Sequence, residues 1–186
     1  TTNRIISPKR GTIYDSTGKA IAMSAEVDTV TINPQKFIDK DSEEKTKETQ
    51  KLVAEGLSKI FELDYNTVYQ KVTSNSSYQS IAKKVEEDKI NDLKAWQAET
   101  GIYIGINIDS DTKRYYPYNN LASHLLGFCG TDNQGLYGIE LKYENMLKGV
   151  PGKIVTTKDA NNVELPMESE TYINAEDGLN LVLSID

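Results

Sequence analysis

Ser-x-x-Lys occurs four times in this sequence, among them at Ser16–Lys19, Ser42–Lys45 and Ser80–Lys83. On a helix that spacing sets a lysine amine one turn from a serine hydroxyl, the layout of a serine nucleophile beside its base. An acyl-transfer enzyme built this way also needs Ser-x-Asn and Lys-Thr/Ser-Gly further along. Neither occurs in these 186 residues. Ser16–Lys19 falls in a turn and Ser42–Lys45 at an acidic helix start, so these pairs read as coincidence, and the catalytic assignment for this chain is none. A structural zinc wants four Cys or His ligands, whereas this chain has only His124 and Cys129. His124 reads as a packed helix residue. Asp109-Ser110-Asp111 opens like a calcium loop, but the sixth position is Arg114 rather than Gly and the twelfth is Asn120 rather than Glu. The acids Asp41, Glu43 and Glu44 read as a solvated helix start. There is no phosphate loop and no Gly-x-Ser-x-Gly elbow, and no metal or cofactor is expected.

The net charge of −7 argues against nucleic acid, which wants clustered Lys and Arg, and against docking on anionic lipid. No apolar run reaches the ~18–20 residues needed to span a bilayer. The chain starts at Thr1 without an initiator Met, so it reads as a piece of a longer protein, which leaves room for an anchor upstream. One cysteine excludes an internal disulfide. Tyrosine outnumbers phenylalanine 11 to 3, which suits half-exposed strands and contact surfaces.

The elements that would position these residues follow from periodicity. Val27, Val30 and Ile32 lie on a strand that stops before Pro34. Asp41 with Glu44 forms a capping-box start, and Leu52, Val53, Leu57, Ile60 and Phe61 recur at helical spacing. Asp64 caps a second helix with Tyr65, Val68, Tyr69 and Val72 inward. Tyr78 to Ala82 is a short strand. Glu86, Glu87 and Asp88 open a third helix, which Gly101 stops. Ile102, Ile104, Ile106 and Ile108 then alternate as a half-buried strand. Leu121 to Leu126 and Ile139 to Leu147 read as helices, Ile154 to Lys158 and Leu179 to Ile185 as strands. The expected fold class is α+β, a β-rich body built from both chain ends with an inserted helical lobe.

Three stretches remain: Arg10-Gly11-Thr12-Ile13-Tyr14-Asp15-Ser16-Thr17-Gly18, Arg114-Tyr115-Tyr116-Pro117, and Gly135-Leu136-Tyr137-Gly138-Ile139-Glu140 with Tyr143, Leu147 and Gly149 after it. In that order they resemble the dimerisation, or pedestal, region of class B penicillin-binding proteins. The family pattern is Arg-Gly-x-Ile-x-Asp-Arg-x-Gly, then Arg-x-Tyr-Pro, then Gly-x-x-Gly-x-Glu-x-x-Tyr-x-x-x-Leu-x-Gly. Ser16 departs from it, standing where the family usually has Arg. The tail from Gly178 to Asp186 resembles the strand that opens the transpeptidase domain, with Ser184 for Thr. Ala22-x-Ser24 and Ala122-x-His124-x-x-Gly127-Phe128 resemble the division and sporulation branch, the stage V sporulation protein D-like group.

The resemblance implies residues 1–40 and 102–177 as the pedestal domain, 41–101 as the inserted lobe, and 178–186 as the first strand of a transpeptidase domain. It implies a parent enzyme, anchored on the outer face of the cell membrane, that cross-links peptidoglycan and binds penicillin. This module would position the transpeptidase domain of the same chain and bind cell-wall partners, notably a SEDS-family glycosyltransferase. The competing readings are a small hydrolase or transferase and a free-standing peptidoglycan-binding or adhesion module. The motif residues expected to be structural are Arg10, Gly11, Asp15, Gly18, Arg114, Tyr116, Pro117, Gly135, Gly138 and Glu140. Arg10 and Arg114 are two of three arginines and can each grip a carboxylate through parallel bonds. Glu140 is the natural acceptor, so an Arg10/Arg114–Glu140 network is expected.

Overall fold

A computed structural model describes residues 2–118, 123–156 and 171–185. The architecture is α+β, with two compact units, Val27–Ser110 and Thr1–Glu26 with Asp111–Asp186. The divisions fall within β3 (Ala20–Ile32) and β5 (Ile106–Tyr115).

In the unit Val27–Ser110, the later residues of β3 pair antiparallel with β4 (Gln79–Val85), Val30 facing Ala82 and Ile32 facing Gln79. A 3-10 turn over Pro34–Phe37 follows, because proline presets its φ and the Asn33 side chain accepts from the Gln35 amide. Helix α1 (Glu43–Ile60) is capped by Ser42, whose Oγ accepts from Lys45 N at 3.2 Å. The expected cap, Asp41, stands one residue too early to reach that donor; its own amide donates to Asp39 Oδ1. Ser42 and Lys45 are thus tied by a helix cap, while Ser80 and Lys83 lie on β4, where residues three apart face opposite sides.

Helix α2 (Tyr65–Val72) is capped by Asp64, which accepts from Thr67 N at 2.8 Å, and Tyr65 stacks on Tyr69 with centroids 5.8 Å apart. Helix α3 (Glu87–Thr100) ends at Gly101, whose φ of 73° takes the left-handed conformation that closes a helix. The core of this unit joins Val30 and Ile32 to Val53, Leu57, Val68, Val72, Ile90, Leu93 and Ile106. The alternation Ile102–Ile108 overstates the strand. Ile102 and Ile104 precede β5, Ile104 is 74% exposed, and Gly105 turns the chain with φ of 91° before Ile106 enters the sheet.

In the other unit, β1 (Thr2–Ile6) and β7 (Thr171–Ile173) flank β6 (Gly152–Thr156), all antiparallel. Lys158, expected in the β6 strand, lies outside the described residues, as do Leu121 and Ala122. β2 (Ile13–Tyr14) pairs antiparallel with the start of β3 and parallel with β8 (Leu181–Val182). Ile13, Ile21, Ala22, Leu126 and Leu147 form the core, with Tyr116, Ile139, Leu181 and Leu183 packed against it. The expected strand Leu179–Ile185 shortens to β8, though Leu183 N still reaches Tyr14 O and Ser16 N reaches Ile185 O. The expected helix Ile139–Leu147 breaks into α5 (Gly138–Lys142) and α6 (Glu144–Leu147) at Tyr143. His124 is exposed on the one-turn α4 (Ser123–Leu126) rather than packed, since Leu126 carries that turn's burial.

The Asp64 cap ties stability to pH. Its amide bond from Thr67, and then the Thr67 hydroxyl, hold its pKa below the ordinary 3.8. The stabilisation is therefore complete above that value and is lost as pH falls through the lower folded pKa. Thermal melts of Asp64→Ala should show a lower midpoint than the parent at pH 7 and a difference that shrinks as pH falls through the lowered carboxyl pKa.

Candidate functional site: a buried arginine–glutamate clamp

Glu140 enters from the first turn of α5 and is wholly buried. A carboxylate so far from water is tolerated only if its charge and lone pairs are matched. Arg10, just before β2, donates from Nε to Glu140 Oε2 at 2.7 Å and from Nη2 to the Glu140 carbonyl at 2.8 Å. Arg114, on β5, donates from Nε to Glu140 Oε1 at 2.8 Å, and the Tyr116 hydroxyl donates to the same oxygen at 3.3 Å. The side chains of Arg10 and Arg114 are 2% and 4% exposed, so these bonds work in a low dielectric.

The remaining guanidinium groups knit the backbone. Arg114 Nη1 donates to the Gly11 carbonyl at 2.8 Å and to Ser24 Oγ at 3.1 Å. Arg10 Nη1 meets the Asn133 carbonyl at 3.2 Å and Glu144 Oε2 at 2.6 Å. Glu144 also accepts from Gly135 N at 2.8 Å. Two guanidinium groups thus face two carboxylates, and the cluster is electroneutral. Arg114 Nη2 is a buried nitrogen with no hydrogen-bond partner among the described residues.

Two glycines let the chain close on this cluster. A Cβ on Gly135 would sit 2.1 Å from the Glu140 carbonyl oxygen, and one on Gly11 would sit 1.9 Å from that of Leu179. Both contacts are with backbone, so neither can yield cheaply. Gly138 opens α5 with φ of 62°. Asp15 and Gly18 lie apart from the clamp, in the β2–β3 turn. Asp15 Oδ1 accepts from Thr17 N, Thr17 Oγ1 and Lys19 N at 2.7–2.9 Å, and these bonds, the Thr17 hydroxyl first, lower its pKa. Pro117 is exposed beyond the end of β5.

Titration follows the geometry. Burial would pull Arg10 down, but the hydrogen bond and charge of Glu140 outweigh it and hold Arg10 above its ordinary value. Burial, reinforced by the Glu140 charge, raises Tyr116. The same two causes, in the same order, push the neighbouring Cys129 thiol up to about 11. These groups are locked in their resting protonation states, which suits a structural joint rather than acid–base chemistry.

Sequence reasoning missed Glu144, Asn133 and Cys129. The spacing of Glu140 and Glu144, four apart, was the available signal for the first. The Asn133 carbonyl carried no signal, because a backbone acceptor is anonymous.

A family model described as the penicillin-binding protein dimerisation domain matches residues 5–183. The chain belongs to that family. Among relatives of this dimerisation domain, stage V sporulation protein D of Bacillus subtilis is 31% identical over 187 residues, covering 99% of this chain and 27% of that protein. Peptidoglycan D,D-transpeptidase FtsI of Escherichia coli K12 is 27% identical, covering 97% and 29%. The chain therefore spans less than a third of the length of these curated relatives. In fold it is similar to penicillin-binding protein 2X from Streptococcus thermophilus, with TM-score 0.63, 22% identity, and 96% of this chain and 28% of that one covered. It is likewise similar to the Helicobacter pylori PBP2–MreC complex, with TM-score 0.67, 23% identity, and 98% and 36% covered.

Removing Glu140 leaves two buried arginines with only Glu144 to match them, and Arg114 with no carboxylate. Glu140→Ala should cost about 3–5 kcal/mol, lowering the melting midpoint by roughly 10 °C. Glu144 is 24% exposed, and Glu144→Ala should cost only ~1 kcal/mol. Equal, small shifts for both would refute the clamp. At pH 8 only about one Cys129 thiol in a thousand is ionised, for a pKa near 11. Its reaction with a thiol reagent should be slow in the folded chain and rise sharply on unfolding.

Proposed function

We propose that this chain is the non-catalytic N-terminal module of a membrane-anchored peptidoglycan D,D-transpeptidase acting in division or sporulation. The observation that carries this reading is the family match over residues 5–183, within which Arg10, Arg114 and Glu140 form the clamp. In the proposed layout residues 1–40 and 102–177 are the pedestal, 41–101 the helical lobe, and 178–186 the lead into the transpeptidase domain. The ten motif residues serve as structural joints. The pedestal holds the serine domain off the outer face of the membrane, and partners dock on this module, a SEDS-family glycosyltransferase among them. Support for a wall-assembly partner comes from the solved complex of the Helicobacter pylori relative with MreC. No helix among the described residues is long and apolar enough to cross a membrane; the anchor belongs to a segment outside them.

Fluorescent penicillin tests the division of labour. The full-length parent should become covalently labelled and this chain alone should not. Labelling of the isolated chain would overturn the reading, because the acylated serine would then lie within it. Tight retention of the isolated chain on purified sacculi would instead favour a wall-binding module. For the partner, the anchored parent should co-purify with the SEDS glycosyltransferase, and loss of that capture on deleting this module is the expected result.

A further inference from the structure

Strand β8 is paired on one side only. It runs parallel to β2 and stands last in its sheet, and no strand among the described residues meets its other edge. The inner side is well bonded. Leu181 N donates to Thr12 O at 2.9 Å, Leu183 N donates to Tyr14 O at 2.8 Å, and the Ile185 carbonyl accepts from Ser16 N at 2.8 Å. Successive residues of a strand turn their N–H and C=O groups to opposite sides. The backbone groups of Asn180, Val182 and Ser184 therefore point outward, and they have no hydrogen-bond partner among the described residues. This edge is open to water: Val182 is 67% exposed and Leu179 63%.

An open strand edge is a template for another strand. From Gly178 to Ile185 the chain carries no charged residue and no proline, the composition of segments that pair with their own kind. The order of residues narrows the choice of partner. Leu179-Asn180-Leu181-Val182-Leu183-Ser184-Ile185 has the same character read in either direction from Val182. Consider a second copy laid antiparallel about a two-fold axis at Val182. Val182 then meets the partner's Val182, Leu181 the partner's Leu183, Asn180 the partner's Ser184, and Leu179 the partner's Ile185. Aliphatic meets aliphatic, amide meets hydroxyl, and no like charges are opposed. Asn180 Oδ1 is occupied by Thr12 N at 2.8 Å, which leaves the side-chain amide nitrogen to donate. A foreign strand would match this pattern only by chance, whereas a copy matches it by symmetry.

We propose that this chain forms a two-fold dimer by antiparallel pairing of its β8 edges, centred on Val182. The outward N–H and C=O groups of each copy bond to those of the other, so each β8 gains its missing neighbour. The contact is only a few residues long and falls well short of the roughly 1,200 Å² of a standard interface. The dimer is therefore weak and depends on concentration. The net charge of −7 on each copy opposes it, and salt, which screens that repulsion, favours it. The inference takes nothing from the transpeptidase reading, and a monomeric chain would leave that reading standing.

Sedimentation equilibrium of the chain from ~10 µM to ~1 mM spans the range of a weak dimer. The expected result is an average mass that climbs from that of one chain toward that of two. Val182→Pro removes an outward N–H that β2 does not use, a change an edge strand tolerates. It should abolish the climb. Val182→Lys sets two ammonium groups against each other on the two-fold axis and should weaken the dimer about tenfold or more. It changes only an exposed side chain, so it decides the matter even where the proline variant melts early. A chain that stays monomeric to ~1 mM overturns the proposal, whether its edge remains bare or a following segment of the parent is what pairs with it. So does a dimer that Val182→Lys leaves at full strength, because its contact then lies elsewhere.

Discussion

A fully buried carboxylate held by two guanidinium groups is the constraint around which this chain's outer segments are arranged. Glu140 alone would carry a desolvation cost of several kcal/mol. Arg10 and Arg114 offset it only if both reach the same carboxylate from different directions, and they arrive from segments more than a hundred residues apart in sequence. Once that geometry is fixed, much of the neighbouring backbone follows. Gly11 must leave room for Leu179, and Gly135 for the Glu140 carbonyl. The Asn133 carbonyl and Glu144 take the donors that Glu140 leaves over.

Such a cluster is poorly suited to handle a substrate. Its charges cancel, all but one of its guanidinium nitrogens are committed to the protein, and burial pushes Tyr116 and Cys129 away from neutral titration. It is well suited to hold a joint, because breaking it exposes mismatched charge in a low dielectric. Membership of the penicillin-binding protein dimerisation domain family agrees with that character. The curated relatives are named for transpeptidase or sporulation roles over chains more than three times as long, so their chemistry is not attributed to these residues.

The helical elements were largely legible. Asp64 as a cap, Gly101 as a stop, and the inward faces of α1, α2 and α3 follow from local spacing, because an amphipathic helix writes its buried side into every three or four residues. Errors came where a local pattern was shared by two structures. Asp41 and Ser42 are both good caps, and only the backbone course selects Ser42. The alternating isoleucines 102–108 satisfy a strand pattern, but Gly105 turns the chain in their midst. The stretch 139–147 has one helical face, yet it breaks at Tyr143 into two short helices.

The sequence by itself determined the α+β composition, the positions of the helices, the three motifs and the types of residue able to form a clamp. Composition, periodicity and motif order are local or linear properties, so a linear reading reaches them. The tertiary structure decided which carboxylates and carbonyls meet which guanidinium. It added Glu144, Asn133 and Cys129 to the cluster, left Asp15 and Gly18 in a separate turn and Pro117 at the surface, and exposed His124. It also left one edge of β8 unpaired among the described residues. The physical reason is that a hydrogen bond between residues 10 and 140 depends on distances set by every segment between them, and backbone acceptors leave no mark in side-chain identity.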